Sequence, residues 1–115
     1  EINPARLVVR QNDKLVFLCT QDIIFITKEK RKTIIITGKD KISTTESLNS
    51  IEARLTGNTF FRSHRAYIVN LNMIREIHPW GKNGYEITFA STRQTAILAA
   101  NKARELEKIL ALPDS

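Results

Sequence analysis

The sequence predicts a mainly β domain that leans towards the α+β class, with antiparallel sheets, one short helix in mid-chain and an amphipathic helix at the end. Short segments rich in Val, Ile, Phe and Thr recur along the chain and alternate with turn-forming residues. Two other segments space their apolar residues as a helix does. No linker, repeat or low-complexity run divides the 115 residues. We therefore expect residues 1–115 to form one domain around one core.

The predicted strands show alternating or continuous β-branched patterns. They cover residues 6–9, 14–20, 22–27, 33–38, 41–45, 59–63, 73–80 and 84–90. The breaks between the early strands fall at Asn12-Asp13, at the basic cluster 28–32 and at Gly38-Lys39-Asp40. Asn83-Gly84 lies between the last two strands, and this dipeptide favours a tight hairpin. Such short breaks predict antiparallel neighbours.

Residues 46–55 and 99–110 are predicted to be helical. Ser43 and Glu46 have the S-x-x-E spacing of a capping box, which would satisfy free amide groups at the start of the first helix. The apolar face of this helix consists of Leu48, Ile51 and Leu55. Pro113 follows the second helix, whose apolar stripe consists of Ala99, Ala103, Leu106 and Leu110.

The charge balance favours an anionic partner. Eighteen Lys and Arg residues against twelve Asp and Glu residues give a formal net charge of +6. Such a charge favours nucleic acid or an anionic membrane surface, although solvated lysines alone would also produce it. Cys19 is the only cysteine, so the chain forms no internal disulfide, and this fits a reducing cytoplasm. The apolar runs are too short to span a membrane.

Catalytic and metal-binding patterns are missing from the sequence. His64 and His78 stand apart, beside one distant cysteine, whereas zinc sites use three or four ligands. Ser63 and His64 lack the surrounding glycines of a nucleophile elbow, and neighbours on a strand point to opposite faces. Four glycines leave little material for a phosphate loop. We therefore expect no enzyme activity and no cofactor.

The basic cluster 28–32, KEKRK, lies between two strongly apolar strands. A hairpin there would project several cations, and cations that neutralise neighbouring phosphates release condensed counterions together. A solvated hairpin tip that opposes aggregation remains an equal alternative for this cluster.

Residues 60–70, FFRSHRAYIVN, place a polar group between two apolar anchors. Anchors held in the core would fix residues 62–65 at the rim, and rigid side chains lose less entropy on binding than flexible ones. With Ile74, Ile77, a Gly-containing hairpin and a terminal amphipathic helix, this segment resembles the LytTR DNA-binding domain. This family is the output module of LytR/AgrA-type response regulators in bacterial two-component systems. The resemblance extends from residue 14 to the final helix.

The resemblance implies an elongated β fold that contacts double-stranded DNA through loops, which enter successive major grooves from one face of the duplex. The DNA-binding residues that it implies are Lys28, Lys30, Arg31, Lys32, His64, Arg65, Asn101 and Lys102. We expect Arg65 and Asn101 to read base edges, since arginine pairs bidentately with guanine and asparagine with adenine. Arg31 and the lysines would neutralise phosphates.

Several neighbouring residues have structural interpretations. His64 is equally compatible with a structural role, because an imidazole between apolar strands often donates to a backbone carbonyl. Trp80 is expected to cover the end of the core, and Asn70 to cap a turn. Family members often carry a serine and arginines at positions 99–101, where this chain has Ala99-Ala100-Asn101. The last helix therefore lacks a favourable N-cap.

The resemblance also implies that residues 1–115 are the C-terminal part of a longer cytoplasmic transcription regulator. An upstream receiver or sensor domain would accompany them, and a dimer would bind direct repeats or paired DNA sites. The alternative from another class is a basic β-rich module that binds protein or an anionic membrane, with the same lysine-rich hairpin as its anchor.

Overall fold

A computed structural model describes residues 6–55, 57, 59–82 and 84–113, and these ranges contain ten strands and two α-helices. The strands of the first half are β1 (Arg6–Gln11), β2 (Lys14–Cys19), β3 (Ile23–Glu29), β4 (Lys32–Thr37) and β5 (Lys41–Thr44). Helix α1 (Leu48–Arg54) precedes β6 (Phe60–His64), β7 (Tyr67–Asn70), β8 (Ile74–Pro79), β9 (Gly84–Phe89), β10 (Thr92–Ala99) and helix α2 (Ala100–Ile109). Short 3₁₀ turns occupy Thr20–Asp22 and Leu71–Met73.

The strands form three antiparallel sheets. The central sheet has the order β5-β4-β3-β7-β6, β8 to β10 form a three-stranded sheet, and β1 pairs with β2. The body is elongated, with principal extents of 49 × 32 × 24 Å. The predicted class, an elongated antiparallel β fold with two helices, is confirmed. Each predicted strand and helix is present within about two residues of its predicted bounds.

The central sheet is buried on both faces, so the described residues form two apolar clusters rather than the one core that we expected. On one face, Phe25 and Ile34 pack against the three-stranded sheet and α2. On the other face, Ile26 and Ile35 pack against β1 and α1. The register of β3 against β4 shifts between Ile23 and Phe25, so Ile24 is an extra residue on β3 without a partner on β4. This bulge places Ile24 and Phe25 in the same cluster although they are adjacent in sequence.

The predicted capping pair of α1 is wrong. Ser43 lies in β5, and the helix starts after Ser47, whose hydroxyl accepts a hydrogen bond from the Ser50 amide at 3.0 Å. The Glu46 carboxylate instead accepts a hydrogen bond from the guanidinium of Arg54, the last residue of α1. Residues 43–46 match the S-x-x-E spacing of a capping box by chance, because Ser43 still belongs to strand β5.

Two strands were not predicted. The residues of β7 were expected to lie in the core, but no strand was predicted for them. Strand β10 was absent from the prediction although it is the longest strand of the described ranges. The register of β10 against β9 shifts between Thr92 and Ala96, and the intervening residues are polar and exposed. This irregular half carries no alternation of apolar and polar residues, which explains why the pattern did not predict a strand.

Predictions for individual side chains had mixed outcomes. Asn70 caps a turn as expected: it is buried, its Oδ1 accepts from the Asn72 amide at 3.0 Å, and its Nδ2 donates to the Ile23 carbonyl at 2.8 Å. The expectation that Trp80 covers the core is wrong, because its side chain is 57% exposed beyond the last residue of β8. Leu110 is also exposed, since α2 ends at Ile109. Asn83 of the predicted tight hairpin lies outside the described residues.

Candidate nucleic-acid interface

The basic hairpin, residues 28–32, forms the connection between β3 and β4. Glu29 pairs with Lys32, which leaves Lys30 and Arg31 as the two residues of the turn. Lys30 has φ of 57°, in the left-handed region that non-glycine residues seldom adopt. Side chains 28–32 are all exposed. A short, hydrogen-bonded hairpin therefore presents four of the predicted site residues, namely Lys28, Lys30, Arg31 and Lys32.

The neighbouring strand β5 adds two residues that the sequence did not indicate. Lys41 and Ser43 line the same surface depression as the basic hairpin. The Lys41 ammonium lies 3.8 Å from the Glu29 carboxylate, and both side chains are more than half exposed. Such a surface ion pair contributes little free energy, so it leaves Lys41 able to exchange partners.

The turn between β6 and β7, residues 64–67, emerges beside the basic hairpin. Tyr67 pairs with Thr27 of β3, and one residue further the Lys28 amide donates to the Ala66 carbonyl at 3.1 Å. The side chain of Arg65 is exposed at this turn. The basic hairpin and the 64–67 turn therefore lie next to each other at one end of the central sheet.

His64 is half-buried within this turn. Its Nδ1 accepts a hydrogen bond from the Ala66 amide at 3.0 Å, so the proton of the neutral ring lies on Nε2. Burial lowers the pKa of His64, and the positive charges of Arg65 and Arg62 lower it further. The ring packs edge-on against Tyr67, with centroids 5.7 Å apart. The imidazole thus bonds to the backbone, as its structural interpretation expected, but it accepts a hydrogen bond where we expected it to donate one.

The start of α2 reaches the same region through β10. Ser63 is fully buried, and its hydroxyl donates to the Ile97 carbonyl at 2.8 Å, which ties β6 to β10. Helix α2 follows β10 directly, with Ala99 as an N-cap that makes no side-chain hydrogen bond. In the first turn, Asn101 is exposed, and the Lys102 ammonium lies 3.8 Å from Glu105.

A shallow cleft of about 420 Å³ joins these segments. It is lined by Asn49, Arg62, His64, Arg65, Ala99, Asn101 and Lys102. The fold therefore brings together the predicted site residues of the 64–67 turn and of α2. Asn49, on α1, was not predicted, because its place beside the cleft depends on how α1 packs and no local pattern indicates this.

The exposed cations of this end are largely uncompensated. Within the described ranges, no carboxylate lies within ion-pairing distance of Lys28, Lys30, Arg31, Lys32 or Arg65. Unpaired cations on short, hydrogen-bonded turns can bind phosphates without first breaking internal salt bridges. In the same part of the chain, no group of three or more His, Cys, Asp and Glu residues could hold a metal ion. None of the described helices combines the length and apolarity that crossing a membrane requires.

Comparison with known proteins identifies the family of this chain. The family described as LytTr DNA-binding domain matches residues 13–111. The transcriptional regulatory protein NatR of Bacillus subtilis is 30% identical over 94 residues, which are 82% of this chain and 40% of NatR. The transcriptional regulatory protein LytR of Staphylococcus aureus is 40% identical over 81 residues, which are 70% of this chain and 33% of LytR. The chain thus spans less than half the length of these relatives.

A solved structure shares the fold. The LytTr DNA-binding domain of a response regulator from Bacillus cereus superposes with a TM-score of 0.79. The superposition covers 94% of this chain and 98% of that domain, at 19% sequence identity. On the family match over residues 13–111, the chain belongs to the LytTr DNA-binding domain family.

Proposed function

We propose that this domain binds double-stranded DNA sequence-specifically, by inserting loops into major grooves, as the output domain of a transcription regulator. The observation that carries the proposal is the convergence of three separate segments at one end of the molecule. The basic hairpin contacts the 64–67 turn through the Lys28 amide, and this turn shares a cleft with the start of α2. Cationic and amide side chains from all three could meet one face of a duplex.

The site residues divide by chemistry into two groups. Arg65 and Asn101 are exposed and carry the side chains that pair bidentately with guanine and adenine, so we assign them to base edges. The ammonium and guanidinium groups of Lys28, Lys30, Arg31, Lys32 and Lys102 would bind phosphates and set the register of the protein on the duplex. His64 has a structural bond at Nδ1, which leaves its Nε2–H as a donor to a phosphate or a base acceptor.

The relatives suggest the context of this domain. NatR and LytR are named transcriptional regulatory proteins, and this chain matches only 40% and 33% of their lengths. We accordingly place the chain in a longer cytoplasmic regulator, with a receiver or sensor domain upstream and no catalytic activity in this part. Pairs of such regulators would occupy direct repeats or paired half-sites on DNA.

Selection of bound duplexes from a random pool, followed by salt titration, tests this function. We expect an enriched sequence that binds at least about 10³-fold more tightly than unrelated duplexes, which is the lower end for specific recognition. Affinity for all duplexes should fall steeply as salt rises. Vesicles that contain anionic lipid provide the comparison. If the domain bound these vesicles and showed no preference among duplexes, the membrane-binding alternative would replace this proposal.

A further inference from the structure

The 64–67 turn lacks the residues that normally stabilise a two-residue hairpin. Tight hairpin turns favour Gly, Asn or Asp with positive φ, whereas this turn consists of Arg65 and Ala66, both with negative φ. The strand before it is also irregular, because the register shifts between Arg62 and His64. The conformation of this turn must therefore depend on hydrogen bonds from outside its own backbone.

Arg62 supplies two of these hydrogen bonds. Its Nε donates to the His64 carbonyl at 3.0 Å, and its Nη2 donates to the Arg65 carbonyl. On its other side, Nη1 donates to Asn49 Oδ1 and to Glu52 Oε1, each at 2.8 Å. A single guanidinium thus connects two carbonyls of the turn to two side chains of α1.

These bonds leave Arg62 little capacity to bind DNA itself. The side chain is only 19% exposed, and its charge is paired with Glu52. Four of the five N–H donors of the guanidinium already have acceptors. Arg62 differs in this respect from Arg65 three residues later, which is exposed and has no ion-pair partner among the described residues.

We propose that Arg62 is a positioning residue for DNA recognition, which fastens the turn that carries Arg65 to α1 through Asn49 and Glu52. The role rests on the proposed function. With the turn fixed before binding, Arg65 leaves the sheet in one direction, and little backbone entropy is lost on the DNA. Helix α1 thereby contributes to DNA affinity without a base contact of its own.

Arg62→Lys is the informative variant, because it keeps the charge but loses the planar fork that spans the turn and α1. We expect affinity for the selected duplex to fall about tenfold, the loss expected if one turn residue must be ordered again on binding. The slope of log affinity against log salt should stay unchanged, since lysine keeps the positive charge at this position. Hydrogen exchange of the Ala66 and Lys28 amides should become faster in the free protein.

Arg54→Lys is a matched control. Arg54 is the last residue of α1, and its guanidinium also bonds to two groups, the Val8 carbonyl and the Glu46 carboxylate, but it does not line the cleft. It should lose comparable folding stability while keeping wild-type DNA affinity and wild-type exchange at Ala66.

The outcomes separate this role from the proposed function. Wild-type affinity in Arg62→Lys, or equal losses in both variants, would each overturn positioning by Arg62. A wild-type domain without any preference among duplexes would instead overturn the proposed function, and the positioning role in recognition with it.

Discussion

Replacing Arg65 by lysine should weaken sequence discrimination while preserving the salt dependence of binding. Lysine retains the positive charge at the exposed turn, but it cannot donate two parallel hydrogen bonds to guanine O6 and N7. The preference of the domain for its selected duplex over a duplex with that guanine replaced should fall by about 1–3 kcal/mol, or about 5- to 150-fold.

The expected salt slope follows from the number of cations assigned to phosphates. If the five assigned phosphate binders each contact one phosphate, log affinity falls against log salt with a slope of about −4.5, so a rise from 50 to 200 mM costs about 500-fold. Arg65→Lys should keep this slope. Lys30→Ala instead removes one cation of the basic hairpin. It should reduce the magnitude of the slope by about 0.9 and weaken binding equally on every duplex.

Fluorescence anisotropy on a set of singly substituted duplexes, titrated at several salt concentrations, measures both quantities. An Arg65→Lys variant that loses affinity equally on all duplexes would refute base reading by Arg65. It would show instead that the geometry of the phosphate contacts has changed. A Lys30→Ala variant with an unchanged slope would refute the assignment of the basic hairpin to phosphates.

Three further predictions concern stability and pH. His64→Asn keeps an acceptor near the Ala66 amide but removes the titrating ring. Because the native pKa of His64 is lowered, wild-type stability should be full above about pH 6.5 and decline as pH falls towards the native pKa, more steeply than in the variant; parallel urea-unfolding profiles would contradict this. Ala99→Ser should add the missing N-cap and raise the free energy of unfolding by about 1 kcal/mol, with Ala100→Ser, one position inside α2, as a control that gains nothing. Asn70→Ala should lower the free energy of unfolding by about 1–3 kcal/mol, because the buried Ile23 carbonyl loses its donor. A loss below about 0.5 kcal/mol in urea denaturation would mean that water replaces the amide.

Most of the fold could be predicted because its elements carry local signals. Segments such as TIIITG and DIIFIT are too short and too β-branched for helices, and turn residues separate them. The exceptions have physical reasons. The first half of β10 is irregular and polar, and Trp80 follows a strand end that core packing does not reach. The local sequence pattern predicts neither an irregular polar strand nor the exposure of a side chain beyond a strand end.

The candidate site was predictable where its residues are contiguous and less so where they are not. The cations of residues 28–32 form a visible cluster, whereas the grouping of Asn101 with Arg65 followed only from the family resemblance. Asn49 and Lys41 had no signal at all. Their positions depend on how α1 packs on the central sheet and on how β5 aligns with β4, and both are set by buried isoleucines at distant places in the chain.

The double-sided burial of the central sheet has a consequence for accuracy at the DNA. If β3 slipped by one residue against its neighbours, apolar residues would still fill three of its four buried positions, so hydrophobic burial alone discriminates weakly between alignments. The bond from Asn70 to the Ile23 carbonyl exists in only one alignment of β3 with β7. A slip of one residue would displace Lys30 relative to Arg65 by about 3.3 Å, close to the spacing of about 3.4 Å between successive nucleotides of one strand. In the proposed complex, a single buried amide thus helps to determine which step of the duplex the basic hairpin and the 64–67 turn each meet.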